Sequence, residues 1–329
     1  MLEDVQSALG ASYRVERALG IRGACQTFLA TERALGRRVV IKVLSPEVAN
    51  TLTTARFQRE GERVGRLQHP HIIPVLTAGA ADALLYYVTP FVEGETLRHR
   101  LDREGALPVA DARRILRELA SALAYAHGRG FVHHGIAPEN ILLANGLAVL
   151  SDFGISALCA AHHTDVSAQS SQAGTAIGAP DYMSPELAAG VGDVDGRSDL
   201  YALGVVGHEM LAGQRPFVGN ASPAFPDREP ARPDAGAGAA RDDVPPELAA
   251  LIERLLARER GDRLQSAGAL QDALWQSGTI SGKRTAPSEG EGTGTVPRAV
   301  ARRGAPLVAA VVVMLLLASV GALWLRRAP

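Results

Sequence analysis

The sequence predicts an α+β protein that ends in a single transmembrane helix, and three observations carry the prediction. β-Branched and aromatic runs punctuated by glycine fill the stretch from Tyr13 to Gly94. Apolar residues then recur at helical spacing, first in Val109–His127 and later behind Asp199 and behind Pro246. Finally, Leu307–Leu325 is an uncharged apolar run of 19 residues. With 329 residues, 47% of them apolar, the chain is long enough for a sizeable core. That length suits one large two-lobed domain or two smaller ones, plus a tail.

Residues 1–12 read as an N-terminal extension. Met1–Gly10 carries Glu3 and Asp4 and has no apolar centre, so no signal peptide is expected. Tyr13–Lys42 reads as strands around the glycine-bearing turn Leu19–Cys25, in isolation an ordinary hairpin. Arg38–Leu44 is a β-branched strand with Lys42 embedded in it, which by itself would point to solvent. A helix follows through Ala55–Glu60. Gly61 and Gly65 each weaken it by up to roughly 1 kcal/mol relative to alanine, which points to a mobile element. His69 and His71 have metal-like spacing, but no cysteine or acidic cluster joins them, so no metal is expected there. Leu84–Gly94 is a further strand and its exit.

In Val109–His127, Ile115, Leu116, Leu119 and Leu123 share a face. Asp199 opens another helix with Leu200, Leu203, Val206 and Met210 in register. Pro245-Pro246 makes a good start for a third, carrying Leu248, Leu251, Ile252, Leu255 and Leu256. Between Phe217 and Val244 the chain is rich in Pro, Ala and Gly, with no helical pattern. Residues 277–306 form a flexible juxtamembrane linker, its Gly, Ser, Thr and Pro heaviest in Ser277–Arg303. At 1.5 Å per residue the run 307–325 spans about 28 Å, close to the hydrocarbon core of a bilayer. Lys283, Arg284, Arg298, Arg302 and Arg303 precede it and only Arg326 and Arg327 follow, so the positive-inside rule puts the N-terminal domain in the cytoplasm. The expectation is a single-pass protein of the cell membrane, with residues 326–329 as a short tail outside.

A net charge of −1 gives no reason to propose nucleic acid as partner. Cys25 and Cys159 are too few for a disulfide framework or a zinc site, so a reducing compartment is expected. No internal repeat is evident.

The stretch Phe131–Gly154, FVHHGIAPENILLANGLAVLSDFG, organises the rest. A His, a Pro-Glu-Asn-Ile-Leu run, a turn, an apolar strand and Ser-Asp-Phe-Gly follow in an order that resembles the catalytic and metal-binding loops of protein kinases. The resemblance covers about Tyr13–Trp275 and, with the apolar run, is to bacterial-type membrane-anchored serine/threonine kinases. It implies a two-lobed protein-kinase-like fold over residues 13–276, a β-rich N-lobe and a helical C-lobe with nucleotide in the cleft. It further implies that Asn140 and Asp152 are Mg²⁺ ligands and that Lys42 binds the ATP α/β-phosphates, with Glu60 as its ion-pair partner and Glu62 near enough to compete. Gly20 falls in the loop over the phosphates, though Arg22 and Cys25 replace its other two glycines. Thr89 would back the adenine pocket, and the carbonyl of Pro90 and the N–H of Val92 would recognise the base. Ile155–Gly178 would be the activation segment. Asp199 would anchor the catalytic loop, and Arg263 would pair with Glu186.

Three departures bear on chemistry. Kinases carry His-Arg-Asp where this chain has His133-His134-Gly135, Lys where it has Ala137, and Thr where it has Ala179. A carboxylate at 135 would orient the accepting hydroxyl and a lysine at 137 would face the transferring phosphate. Losing such contacts costs roughly 10²–10⁴ in rate for a positioned base and about 10²–10³ for a charge contact. The first expectation is therefore a pseudokinase with no intact catalytic set. Such a protein binds ATP and Mg²⁺ weakly and acts on a protein partner as a scaffold or allosteric element. The alternatives are an active serine/threonine kinase whose missing groups come from His134 or Glu139, and a nucleotide site serving another transfer.

Overall fold

The computed structural model describes residues 1–22, 25–50, 52–82, 84–153, 180–191, 193–217 and 241–279. They belong to one compact unit, Met1–Gly282, with two lobes. The small lobe is built on a five-stranded antiparallel sheet in the order β1-β2-β3-β5-β4. Its strands are β1 (Tyr13–Arg22), β2 (Cys25–Glu32), β3 (Arg38–Leu44), β4 (Thr77–Ala81) and β5 (Leu84–Pro90).

Side chains alternate across β3 with the two-residue period of a strand. Val39, Ile41 and Val43 join one core cluster with Val5 and Leu9 of helix α1 (Leu2–Leu9). On that helix Val5 and Leu9 stand four residues apart, on one face, and Gln6 Oε1 accepts from the Val15 N–H at 2.8 Å. The N-terminal stretch expected as an extension is thus part of the small-lobe core. Lys42 lies on the other face and is 7% exposed, not the solvent-facing lysine that an isolated strand would carry.

After the short helix α2 (Pro46–Ala49), α3 (Thr54–Val64) packs beside β4, with Thr53 Oγ1 capping its start by accepting from Arg56 N–H. Gly61 sits at that contact: a Cβ there would lie 2.3 Å from Ala78 Cβ. Its glycine therefore serves close approach of helix and strand, where the propensity argument alone pointed to mobility.

The large lobe begins with β6 (Glu95–Thr96) and α4 (Leu97–Glu104), followed by α5 (Val109–His127). Next come β7 (Ile141–Ala144) and β8 (Leu147–Leu150), which complete a three-stranded sheet with β6. Helices α6 (Pro185–Ala188), α7 (Gly196–Ala212), α8 (Pro246–Leu255) and α9 (Ala267–Thr279) finish it, the last running past the expected domain end at 276. Leu200, Leu203, Val206 and Met210 of α7 are all fully buried, and so are Val205 and Leu211 between them. A helix covered on every side is the centre of its lobe. Among the described residues no helix is long and apolar enough to cross a membrane. Residues 154–179, 218–240 and 280–329, which hold the expected activation segment, Ala179, most of the linker and the 307–325 run, lie outside the described residues.

Candidate functional site

The site is built on a carboxylate at the start of α7. Asp199 is buried, and its Oδ2 accepts from His133 N–H and meets His127 Nε2, both at 2.8 Å, while Oδ1 accepts from His134 N–H at 2.9 Å. Burial by itself raises this carboxyl, but His127 and its neighbours outweigh that and hold it below the usual range. The expected anchor is therefore in place. It holds His134 at φ 59°, a left-handed conformation that a non-glycine residue keeps only when its surroundings impose it.

His133 is fully buried. Gly135 N–H donates to its Nδ1 at 3.1 Å, so the proton is on Nε2, which donates to Ser151 O at 2.7 Å. Burial pushes this imidazole down, so it is neutral at physiological pH. Its ring meets the Phe153 ring edge-on at 4.6 Å, which ties the loop at 133–140 to the one at 151–153.

Asn140 and Asp152 are brought together through Ser151. Asn140 O accepts from Ser151 N–H at 2.9 Å and from Ser151 Oγ at 3.1 Å. Asn140 Nδ2 donates to Gly135 O at 2.8 Å, which leaves the amide oxygen as the atom to offer a cation. Asp152 stands at φ 69°; its Oδ1 takes an ion pair from Lys42 and a hydrogen bond from Tyr87 Oη at 2.8 Å. Burial raises the Asp152 carboxyl, but Lys42 and Tyr87 together hold it below the ordinary value. A carboxylate and a carboxamide form an all-oxygen donor pair, which suits a hard cation such as Mg²⁺, and Lys42 beside them suits phosphate. The residues present fit Mg²⁺-ATP.

The expected Lys42–Glu60 pair is not formed. Arg63, three residues along α3, donates through Nη1 to both Glu60 oxygens at 2.7 and 3.0 Å, and its guanidinium lies over the Phe131 ring. The i,i+3 neighbour captures the glutamate locally, while Lys42 turns to Asp152. Glu62 is exposed. Gly20 has φ 118° at an irregularity of β1, a conformation glycine adopts without strain. Thr89 is buried, opposite Val40, and Pro90 ends β5 opposite Val39, with Val92 half-buried just beyond.

Gly135 and Ala137 line a hollow with His134, Tyr182, Ser184 and Asp199, at the place where longer side chains are expected. Glu139 Oε1 receives Arg98 Nε at 2.8 Å, and Arg98 also donates to Glu209 Oε1 at 2.9 Å. Behind the loop, the expected Glu186–Arg263 pair is present, bidentate at 2.7 and 2.9 Å. Sequence reasoning passed over Tyr87 and Arg98. An aromatic in a β-strand reads as core, and an arginine on a polar helix reads as surface; neither carries a local signal of its long-range partner.

A protein kinase domain model matches residues 13–275. The chain is 36% identical over 283 residues to the serine/threonine-protein kinase pkn3 of Myxococcus xanthus, covering 83% of this chain and 51% of that one. It is 34% identical over 273 residues to the serine/threonine-protein kinase PknB of Mycolicibacterium smegmatis, covering 81% and 43%. It thus spans about half or less of the length of these curated relatives. A crystal structure of a mutant of the Mycobacterium tuberculosis PknI kinase domain aligns at TM-score 0.63 and 32% identity, over 82% of this chain and 96% of that one. With its two lobes, its anchored loop and the Lys42–Asp152 pair across the cleft, the chain belongs to the protein kinase family, as a serine/threonine-kinase-like domain of bacterial type.

Proposed function

We propose that this chain is a membrane-anchored pseudokinase. It binds ATP and Mg²⁺ weakly through Lys42, Asn140 and Asp152, and acts as a signalling scaffold or allosteric partner of another protein at the cytoplasmic face of the cell membrane. One observation carries the reading. The carboxylates on and around the loop at Gly135 are already engaged: Asp199 by the backbone at 133–134 and by His127, Glu139 by Arg98, and Asp152 by Lys42 and Tyr87. Among the described residues, none of these three stands in for the carboxylate that Gly135 lacks. Kinase domains in general bind Mg²⁺-ATP, and bound Mg²⁺ supplies charge neutralisation for the phosphates. In this chain Asp152 and Asn140 would hold the metal, Lys42 the phosphates, and the backbone at Pro90 and Val92 the base. The apolar run 307–325 and the basic residues before it support the anchoring.

The second reading, an active serine/threonine kinase, draws on His134. Burial keeps this imidazole below its ordinary pKa, hence neutral and able to accept a proton, and it borders the hollow at Gly135 and Ala137.

Nucleotide binding and phosphate transfer measured on the same full-length preparation separate the two. The pseudokinase gains melting temperature with Mg²⁺-ATP, loses that gain in Lys42→Ala, and puts no radiolabel on protein. Robust transfer by the wild type that Asp152→Ala abolishes would overturn the proposal and favour the second reading.

A further inference from the structure

Tyr87 of β5 stands directly opposite Lys42 of β3 in the strand register, so the two side chains share the cleft face of the sheet. Its ring is buried in a cluster with Phe57 of α3, Leu44 and Leu85. The hydroxyl leaves that cluster to donate to Asp152 Oδ1 at 2.8 Å, the oxygen that Lys42 also holds, and Lys42 Nζ lies 5.8 Å from the ring centroid. Among the described residues Oδ2 meets Ser151 Oγ, at a longer 3.2 Å, and shares that hydroxyl's one proton with Asn140 O. Glu60, meanwhile, is held by Arg63.

We propose that Tyr87 is a positioning residue of the Mg²⁺ site, fixing the Asp152 carboxylate so that the site assembles without the α3 glutamate. The inference rests on the nucleotide-binding reading above. A carboxylate ligand turns about its last bond unless an outer partner holds it, and removing such a partner typically weakens metal binding by about 10–100-fold. A neutral phenol does this without competing for charge. It also keeps its grip when Lys42 swings to phosphate. The buried ring gives the hydroxyl a fixed origin, whereas Glu60 rides on a helix whose own Arg63 draws it away.

The test titrates Mg²⁺ at fixed, saturating ATP on the full-length chain and reads the melting temperature. Tyr87→Phe keeps the ring and is expected to raise the Mg²⁺ concentration for half-maximal stabilisation about tenfold. Glu60→Gln is expected to leave it within about twofold. A second readout needs no nucleotide: acylation of Lys42 by an amine-selective reagent, followed by peptide mass spectrometry. Tyr87→Phe should speed it about two- to fivefold by loosening the carboxylate that covers Lys42, and Glu60→Gln should not. An unchanged Mg²⁺ requirement in Tyr87→Phe, or an equal loss in Glu60→Gln, overturns the proposal. If the wild type itself ignores Mg²⁺-ATP, the nucleotide reading fails and Lys42 acylation decides: acceleration in Tyr87→Phe supports the hold on Asp152, and no change overturns it. Should Tyr87→Phe fold poorly, Tyr87→Met carries the same comparison.

Discussion

Replacing Arg263 with methionine should destabilise the domain without touching the cleft. Arg263 is fully buried and uses its whole guanidinium. It donates to both oxygens of Glu186, at 2.7 and 2.9 Å, and to the carbonyls of Ala257, Arg258 and Arg197 at 2.7, 2.8 and 3.1 Å. Its charge also lies over the Tyr201 ring, 4.9 Å from the centroid. Methionine fills much of the volume but leaves Glu186 buried with Ser198 Oγ as its remaining side-chain donor, at 2.5 Å. Breaking one side of a buried pair costs about 3–5 kcal/mol, a large part of the roughly 5–15 kcal/mol that holds a domain together. For a domain of this size that is a fall of about 6–20 °C in melting temperature. Thermal unfolding followed by circular dichroism measures it. Replacing both partners, Arg263→Met with Glu186→Leu, should recover much of the loss, since removing a buried pair whole is far milder than halving it. The pair also has a pH signature. Burial raises the Glu186 carboxyl, but Arg263 and Ser198 outweigh it and hold it below 4.5. Its contribution is therefore full above the unfolded value and is lost as pH falls through the lower folded one. Glu186→Gln should flatten that acid limb. A cost below about 1 kcal/mol for Arg263→Met, or a double variant no better than the single, would refute the reasoning.

Gly61→Ala should destabilise by a net of up to about 2 kcal/mol, because overpacking against Ala78, about 1–3 kcal/mol, outweighs the helix-propensity gain of up to roughly 1 kcal/mol; urea unfolding that shows net stabilisation would restore the mobility reading. Deleting Pro306–Pro329 should move the protein from the membrane to the soluble fraction with an unchanged melting temperature. Recovery in membranes would mean that another surface does the binding. Restoring Gly135→Asp, Ala137→Lys and Ala179→Thr together should return measurable radiolabel transfer, with little from Gly135→Asp alone, because groups acting as one unit are non-additive. A single variant as active as the triple would count against a concerted loss.

What the sequence determined by itself was order and spacing. The strand run around Lys42, the helical faces of α5, α7 and α8, and the loop from His133 to Phe153 are all periodic or local. Periodicity and turn chemistry are properties of neighbouring residues, so the strands and helices were legible in them, whereas the two-lobed fold, the Asp199 anchor and the Glu186–Arg263 pair followed from the resemblance to protein kinases carried by that loop. The helix at Leu2–Leu9 was not legible, because so short a stretch, with Val5 and Leu9 as its buried residues, announces a helix only once a sheet is there to receive them. Nor was the role of Gly61, whose reason lies on a strand further along the chain. Tertiary structure alone decided the partner of Lys42. The resemblance nominated Glu60, yet the lysine pairs with an aspartate 110 residues away, which also accepts from a tyrosine on the adjacent strand. Sequence spacing can bring a charge to a helix, but the rotation of that helix, and whether Arg63 reaches the glutamate first, follow from how α3 packs on β4. A contact that depends on such a rotation is fixed by packing, and packing is where a linear pattern stops carrying information.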